Sequence, residues 1–218
     1  MFRHSSFGLA LVLAVAAAGC ATATHEPPNL SPHKRQIREY VETGQYMRDL
    51  DTVALSAKSW VEQRAAKGGE KLTVVFDLDE TLLFNWPHIS AMDFGYVPTA
   101  WDRWVDEAKA PAIDPVREVY RTARRLGVDV VFITGRPESQ REGTERNLKA
   151  IECADHLMLI CKPPTHRGSS AAYKTAERQR LISEGRTIIA NIGDQLADLE
   201  GGAAERTFKL PNAFYRLD

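Results

Sequence analysis

The sequence predicts an open three-layer α/β/α fold of the Rossmann-like kind. It would have a mainly parallel central sheet, N-terminal helices and a small helical, cap-like insertion after the first strand. Two observations predict it. Short, near-continuously apolar runs rich in Val and Ile recur at Leu72–Phe76, Val128–Ile133, Leu157–Ile160 and Thr187–Ile192. Strands buried on both faces of a parallel sheet have this pattern. Helical stretches separate the runs, and strand–helix–strand alternation argues for a doubly wound sheet.

The elements follow in order along 218 residues. Arg3 lies in a short basic start, and Phe7–Ala18 is a twelve-residue apolar stretch that ends in Ala17-Ala18-Gly19-Cys20. Twelve residues are too few to span a bilayer but suit a signal-peptide core. The cleavage region resembles a bacterial lipobox, with Ala17 where Leu is commoner. Cys20 would then be the lipidated first residue of the mature chain, and residues 1–19 the signal peptide. Ordinary cleavage near Ala23 is the alternative. Either way the chain is expected to be exported, and lipid on Cys20 would hold it at a bacterial membrane surface, in the outer membrane or periplasm. Residues 20–30, with two prolines and no periodicity, read as a flexible tether.

The domain proper is expected over residues 31–218. Ser31-Pro32 reads as an N-cap and first helical position, with Gly44 interrupting the helix. Tyr46, Leu50, Val53, Ala54, Ala57 and Val61 share one helical face, which Gly68-Gly69 ends. Asp114 is expected to cap a helix over 115–126 that Gly127 ends. Thr207–Leu210 reads as a fifth strand, stopped by Pro211. Residues 84–113 break the alternation. They hold Trp86, Trp101, Trp104, Phe94 and Tyr96 and are expected to lie over the sheet's carboxyl edge.

Composition bounds the function. Lys and Arg number 28 against 29 Asp and Glu, a formal charge of −1, so no global positive field invites nucleic acid. Three cysteines cannot make a disulfide scaffold. Cys153, His156, Cys161 and His166 have a zinc-like spacing, but an extended strand between His156 and Cys161 would hold them roughly 16 Å apart.

In an open α/β sheet the reactive groups lie just past the strand ends. The first strand is followed by Asp77-Leu78-Asp79-Glu80-Thr81, the second by Thr134-Gly135-Arg136, and the fourth by Gly193-Asp194 with Asp198 four residues on. Carboxylates gathered in one crevice repel unless a cation offsets them. Oxygen-only ligands in an open crevice favour Mg²⁺ over Zn²⁺. Asp77 could then stay ionised and attack an electrophile such as the phosphorus of a monoester.

These motifs resemble those of the haloacid dehalogenase-like (HAD) superfamily of phosphohydrolases. The closer resemblance is to the secreted acid phosphatases and plant vegetative storage proteins, and it extends over most of residues 37–217. It is carried by Gly44-x-Tyr46, the three motifs above, Asn147-Leu148, Tyr173-Lys174, Ile192-Gly193-Asp194-Gln195 and Lys209-Leu210-Pro211-Asn212. The resemblance implies that Asp77 attacks phosphorus and becomes a phosphoaspartate. It implies that Asp79 protonates the leaving alcohol and then activates water, and that Thr134 and Gly135 contact the phosphoryl group. Lys174 would neutralise that group, with Lys162, just past the third strand, as the competing lysine. Asp77, the backbone carbonyl of Asp79, and Asp194 would bind Mg²⁺, supported by Asp198. The tryptophans, Trp86 among them, either stack on substrate or pack the insertion. Phe84 departs from several bacterial members, which carry Asp there.

The leading expectation is an Mg²⁺-dependent phosphomonoesterase acting outside the cytosol. A non-enzymatic binding or storage protein on the same fold is the alternative, and the presence of Asp77 counts against it. A carbon–halogen hydrolase would not need the acid Asp79, because halide leaves unprotonated. Nucleoside monophosphates, other small phosphates and phosphotyrosine remain open as substrates.

Overall fold

The computed structural model describes residues 27–217. The leader and Cys20 lie outside them. Among the described residues no helix is long and apolar enough to cross a membrane. Five parallel strands form one sheet in the order β3-β2-β1-β4-β5. They are β1 (Leu72–Phe76), β2 (Asp129–Pro137), β3 (Met158–Lys162), β4 (Thr187–Gly193) and β5 (Thr207–Lys209). The Rossmann-like expectation holds, and helices cover both faces.

Strand geometry sends alternate side chains to opposite faces. Val74, Phe76, Val130 and Phe132 pack in the larger core, against α2 (Gln45–Ala65) and α5 (Asp114–Arg125). Val75, Val131 and Ile133 point the other way, to Tyr173 and Leu181 of α7 (Ser170–Ser183). Both faces are covered, which is why the strands carry no polar alternation.

Most boundaries shift by a residue or two, and three of the differences bear on the argument. The first helix, α1 (Leu30–Glu42), begins before Ser31 because the Asn29 side chain accepts the Ser31 N–H at 2.9 Å. Pro32 then falls in the first turn, where no intrahelical partner is lost. Asp114 is the first residue of α5, not its cap, and its carboxylate pairs with Arg117 at 2.7 Å. β2 continues through Thr134-Gly135-Arg136 to Pro137. Its pairing with β3 passes from Ile133↔Ile160 to Pro137↔Lys162, so β2 carries extra residues there. Such a bulge re-aims side chains beside a site.

Gly44 links α1 to α2 at φ +75°, a left-handed conformation that suits glycine. Tyr46 follows it and is fully buried, with its ring 5.1 Å from Phe214 and 5.8 Å from Phe84. Residues 84–113 form α3 (Trp86–Ala91) and α4 (Pro98–Glu107). Their base is tied shut: Phe84 N donates to Pro111 O at 2.8 Å and Ile113 N to Leu82 O at 2.9 Å. Among the described residues the remaining α-helices are α6 (Arg141–Ala150) and the one-turn α8 (Leu196–Leu199), with a short 3₁₀ turn, Glu138–Gln140, leading into α6.

Candidate active site

β1, β2 and β4 end together at one edge of the sheet, beneath α3 and α4. A cavity of about 710 Å³ opens there. Asp77, Asp79, Gly135, Lys162, Lys174, Asp194 and Asp198 line it, with His88, Tyr96 and Trp101 from the insertion.

Asp77 leaves β1 with its N–H donating to Ile192 O at 2.9 Å, which locks the first strand end to the fourth. Lys174, in the second turn of α7, donates to Asp77 Oδ1 at 2.5 Å and to Asp198 Oδ1 at 2.6 Å. All three side chains are buried. Burial alone would lower the Lys174 ammonium, but the two carboxylates more than reverse it and keep it charged. Burial raises Asp77 well above the usual carboxylate range; Lys174 opposes this, and Asp198, Asp194 and Asp79 add to it.

Asp194, beyond β4, is pushed up to about 7, by burial first and by Asp198 next. Its Oδ2 accepts from Gln195 Nε2 at 2.5 Å and Asn212 Nδ2 at 2.7 Å, whereas Oδ1 meets Thr81 Oγ1 at 3.3 Å. Asp198 has both oxygens engaged, Oδ1 by Lys174 and Oδ2 by Gln195 N at 2.8 Å. Arg178 holds the loop behind it, donating to the carbonyls of Asp198, Glu200 and Gly202.

Carboxylate oxygens of Asp77, Asp194 and Asp198 lie within 4.8 Å of one another. Of this trio, Lys174 is hydrogen-bonded to Asp77 and Asp198. The donors are all oxygen, and Asp77 and Asp194 are held above their ordinary values. Both facts fit a hard divalent cation, which would favour the charged carboxylates.

Asp79 is held differently. Arg136, almost wholly buried, donates to it through Nη2 and Nε at 2.6–3.2 Å, and Asn85 Nδ2 donates to Oδ1 at 2.9 Å. Arg136 also lies 5.5 Å from the centre of the Trp101 ring. Thr134 is buried, and its Oγ1 accepts the Arg136 N–H at 3.1 Å. Glu80 follows at φ +55° and is buried, with its carboxyl pushed up to about 8, chiefly by burial and then by Asp79.

The structure therefore gathers Asp77, Asp79, Lys174, Asp194 and Asp198, with Gly135 of β2, whereas Thr134 is fully buried beside it and is not among the lining residues. Lys162 stands on the cavity wall without a hydrogen bond to Asp77. Trp86 is not among the lining residues; its ring stacks on Phe214 at 5.2 Å and meets Phe94 at 5.8 Å, while Trp101 lines the cavity. Sequence reasoning assigned no role to Arg136, Glu80 or Asn85, although all three lie in or beside the strand-end motifs. It gave no sign of Tyr215, whose hydroxyl donates to Glu80 Oε2 at 2.5 Å.

Fold and site together define an α/β enzyme that works at the carboxyl edge of a parallel sheet. The chain belongs to the HAD superfamily, subfamily IIIB (acid phosphatase), whose family model matches residues 6–218. It is an acid phosphatase, a hydrolase of phosphate esters, as the motifs led one to expect. It is similar to the stem 28 kDa glycoprotein of Glycine max, 35% identical over 187 residues, which cover 83% of this chain and 73% of that protein. Acid phosphatase 1 of Solanum lycopersicum is 32% identical over 204 residues, covering 88% of this chain and 80% of its own. The class C acid phosphatase from Bacillus anthracis shares the fold, with a TM-score of 0.72 and 24% identity over 84% of this chain and 86% of that one.

Proposed function

We propose that this acid phosphatase hydrolyses small phosphomonoesters outside the cytosol through a phosphoaspartate on Asp77, with Mg²⁺ as its cofactor. The observation that carries the reading is Lys174 bridging Asp77 and Asp198 beside Asp194. A carboxylate needs such a cation beside it if it is to approach an anionic phosphoryl group. Asp77, Asp194 and the backbone carbonyl of Asp79 would hold the metal, with Asp198 in support. Bound there, it would offset the charge of the phosphoryl oxygens.

In the first step an Asp77 oxygen bonds to phosphorus as the ester P–O bond breaks, and the leaving oxygen takes a proton from Asp79. In the second, Asp79 takes a proton from water, the resulting hydroxide oxygen bonds to phosphorus, and the P–O bond to Asp77 breaks. Phosphate and the Asp77 carboxylate are regenerated. Thr134 and Gly135, at the bulged end of β2, are the contacts proposed for the phosphoryl oxygens, and Lys174 neutralises their charge. The leader and Cys20 support export and attachment of the protein to a membrane surface.

A phosphate-release screen over alkyl, nucleoside and aryl monoesters, with Mg²⁺ and with chelator, tests this reading. Release from several small esters, lost on chelation and restored by Mg²⁺, is expected. Release that survives exhaustive chelation would overturn the metal assignment.

A further inference from the structure

Asp79 presents its two oxygens unequally. Oδ1 accepts from Arg136 Nη2 at 2.6 Å, from Arg136 Nε at 3.2 Å and from Asn85 Nδ2 at 2.9 Å. Oδ2 accepts only the Arg136 Nε contact, at 3.0 Å. Asn85 is fully buried and is not among the residues that line the cavity. Its amide orientation is settled by chemistry: an indole N–H can only donate, and Trp104 Nε1 lies 2.8 Å from Asn85 Oδ1. Oδ1 is therefore the carbonyl oxygen, and the NH₂ group faces Asp79. The Glu80 carboxylate completes the clamp by accepting Asn85 N at 2.8 Å and, more weakly, Nδ2 at 3.4 Å. Trp104 belongs to α4, so one chain of hydrogen bonds runs from the insertion to Asp79.

We infer that Asn85 is a positioning residue that, aimed by Trp104, anchors Asp79 Oδ1 and leaves Oδ2 as the oxygen that carries the proton. The inference rests on Asp79 being the acid and base of the reaction. Oδ1 is held by Arg136 Nη2 and Asn85 Nδ2 besides the Nε–H that it shares with Oδ2, so Oδ2 is the less engaged oxygen of a side chain that lines the cavity. A carboxyl that turned about its Cβ–Cγ bond would present its proton in the wrong direction. Small misplacements of a catalytic group are costly to rate.

The test is the first-turnover rate, by rapid quench, on an alkyl phosphate and on nitrophenyl phosphate. The variants are Asn85→Leu, Trp104→Phe, Asp79→Asn and the double variant Asp79→Asn/Asn85→Leu. Trp104→Phe removes the indole N–H along with part of the ring but keeps an aromatic face, so it serves if Asn85→Leu does not fold. Hydrogen bonds to charged groups are worth enough that Asn85→Leu should slow the alkyl ester by about tenfold or more. Trp104→Phe should slow it by less, and nitrophenyl phosphate should be slowed less in both variants. Because Asn85 acts through Asp79, the double variant should be no slower than Asp79→Asn alone. Equal loss on both esters, or losses that multiply in the double variant, would overturn the inference while Asp79→Asn still separates the two esters. If Asp79→Asn does not separate them, the reading of Asp79 itself fails and the inference with it.

Discussion

Lys174 and Asp77, 97 residues apart in the chain, meet as a buried ion pair with Nζ 2.5 Å from Oδ1. The same ammonium reaches Asp198, so it is the direct cationic partner of two buried carboxylates. Breaking a buried pair by removing one partner typically costs about 3–5 kcal/mol. Lys174→Met is expected to abolish phosphate release and lower the melting temperature. Lys162→Met should keep most of the activity. Steady-state kinetics and thermal melts of both variants check this, and the opposite ranking would reverse the lysine assignment.

Gly193 faces Asp198 at close range. A Cβ on Gly193 would lie 2.4 Å from Asp198 Cβ and 2.5 Å from its Oδ2. An atom cannot fit there unless α8 moves and draws Asp198 from Lys174. Overpacking of this kind costs about 1–3 kcal/mol. Gly193→Ala should lower both stability and kcat, measured by denaturant unfolding and by turnover. Wild-type turnover would show that the contact is not needed.

Asp77 and Asp194 are both held above their ordinary values by burial and neighbouring carboxylates. Removing divalent ions should stop turnover, and Mg²⁺ should restore it. Asp194→Asn should require far more Mg²⁺ for half-maximal rate, because it would remove a charged ligand of the proposed metal. Titration of activity against free Mg²⁺ measures the change, and an unaltered requirement would remove Asp194 from the metal site.

Asp77 and Asp79 share a strand end but are given different work. Asp77→Asn should form no phosphoenzyme with any ester. Asp79→Asn should release up to about one equivalent of nitrophenol from nitrophenyl phosphate and then stall, because the second step lacks its base. General acid–base catalysis is typically worth about 10²–10⁴-fold, so an alkyl ester should suffer heavily even in the first step. Rapid quench with detection of the phosphoenzyme decides between the roles.

Cys20→Ser should leave the chain unprocessed or move it from the membrane to the soluble fraction. Fractionation with N-terminal sequencing checks the address. Soluble wild-type protein beginning downstream of Cys20 would instead indicate ordinary signal-peptidase cleavage.

The strands were legible because they are buried on both faces, so nearly every residue in them had to be apolar. Once the strands were located, parallel topology alone placed Asp77, Thr134 and Asp194 at one edge, since every parallel strand ends on the same side. Local sequence carries that much physics. Strand ends were less legible: the bulge that carries β2 on to Pro137 depends on its pairing with Lys162 of β3.

Only the tertiary structure decided which groups meet across long stretches of chain. Lys174 and Lys162 both follow the start of β3, and no periodicity tells which ammonium reaches Asp77. Trp86 and Trp101 are alike in sequence, yet Phe214 from the far end of the chain covers one ring and leaves the other to the cavity. Asn85 and Trp104 lie 19 residues apart, and Tyr215 returns across 135 residues to Glu80. Burial pattern reports which face of an element is covered, not by whom. The partners are set by how the helices pack and where the chain comes back, and those are properties of the whole fold.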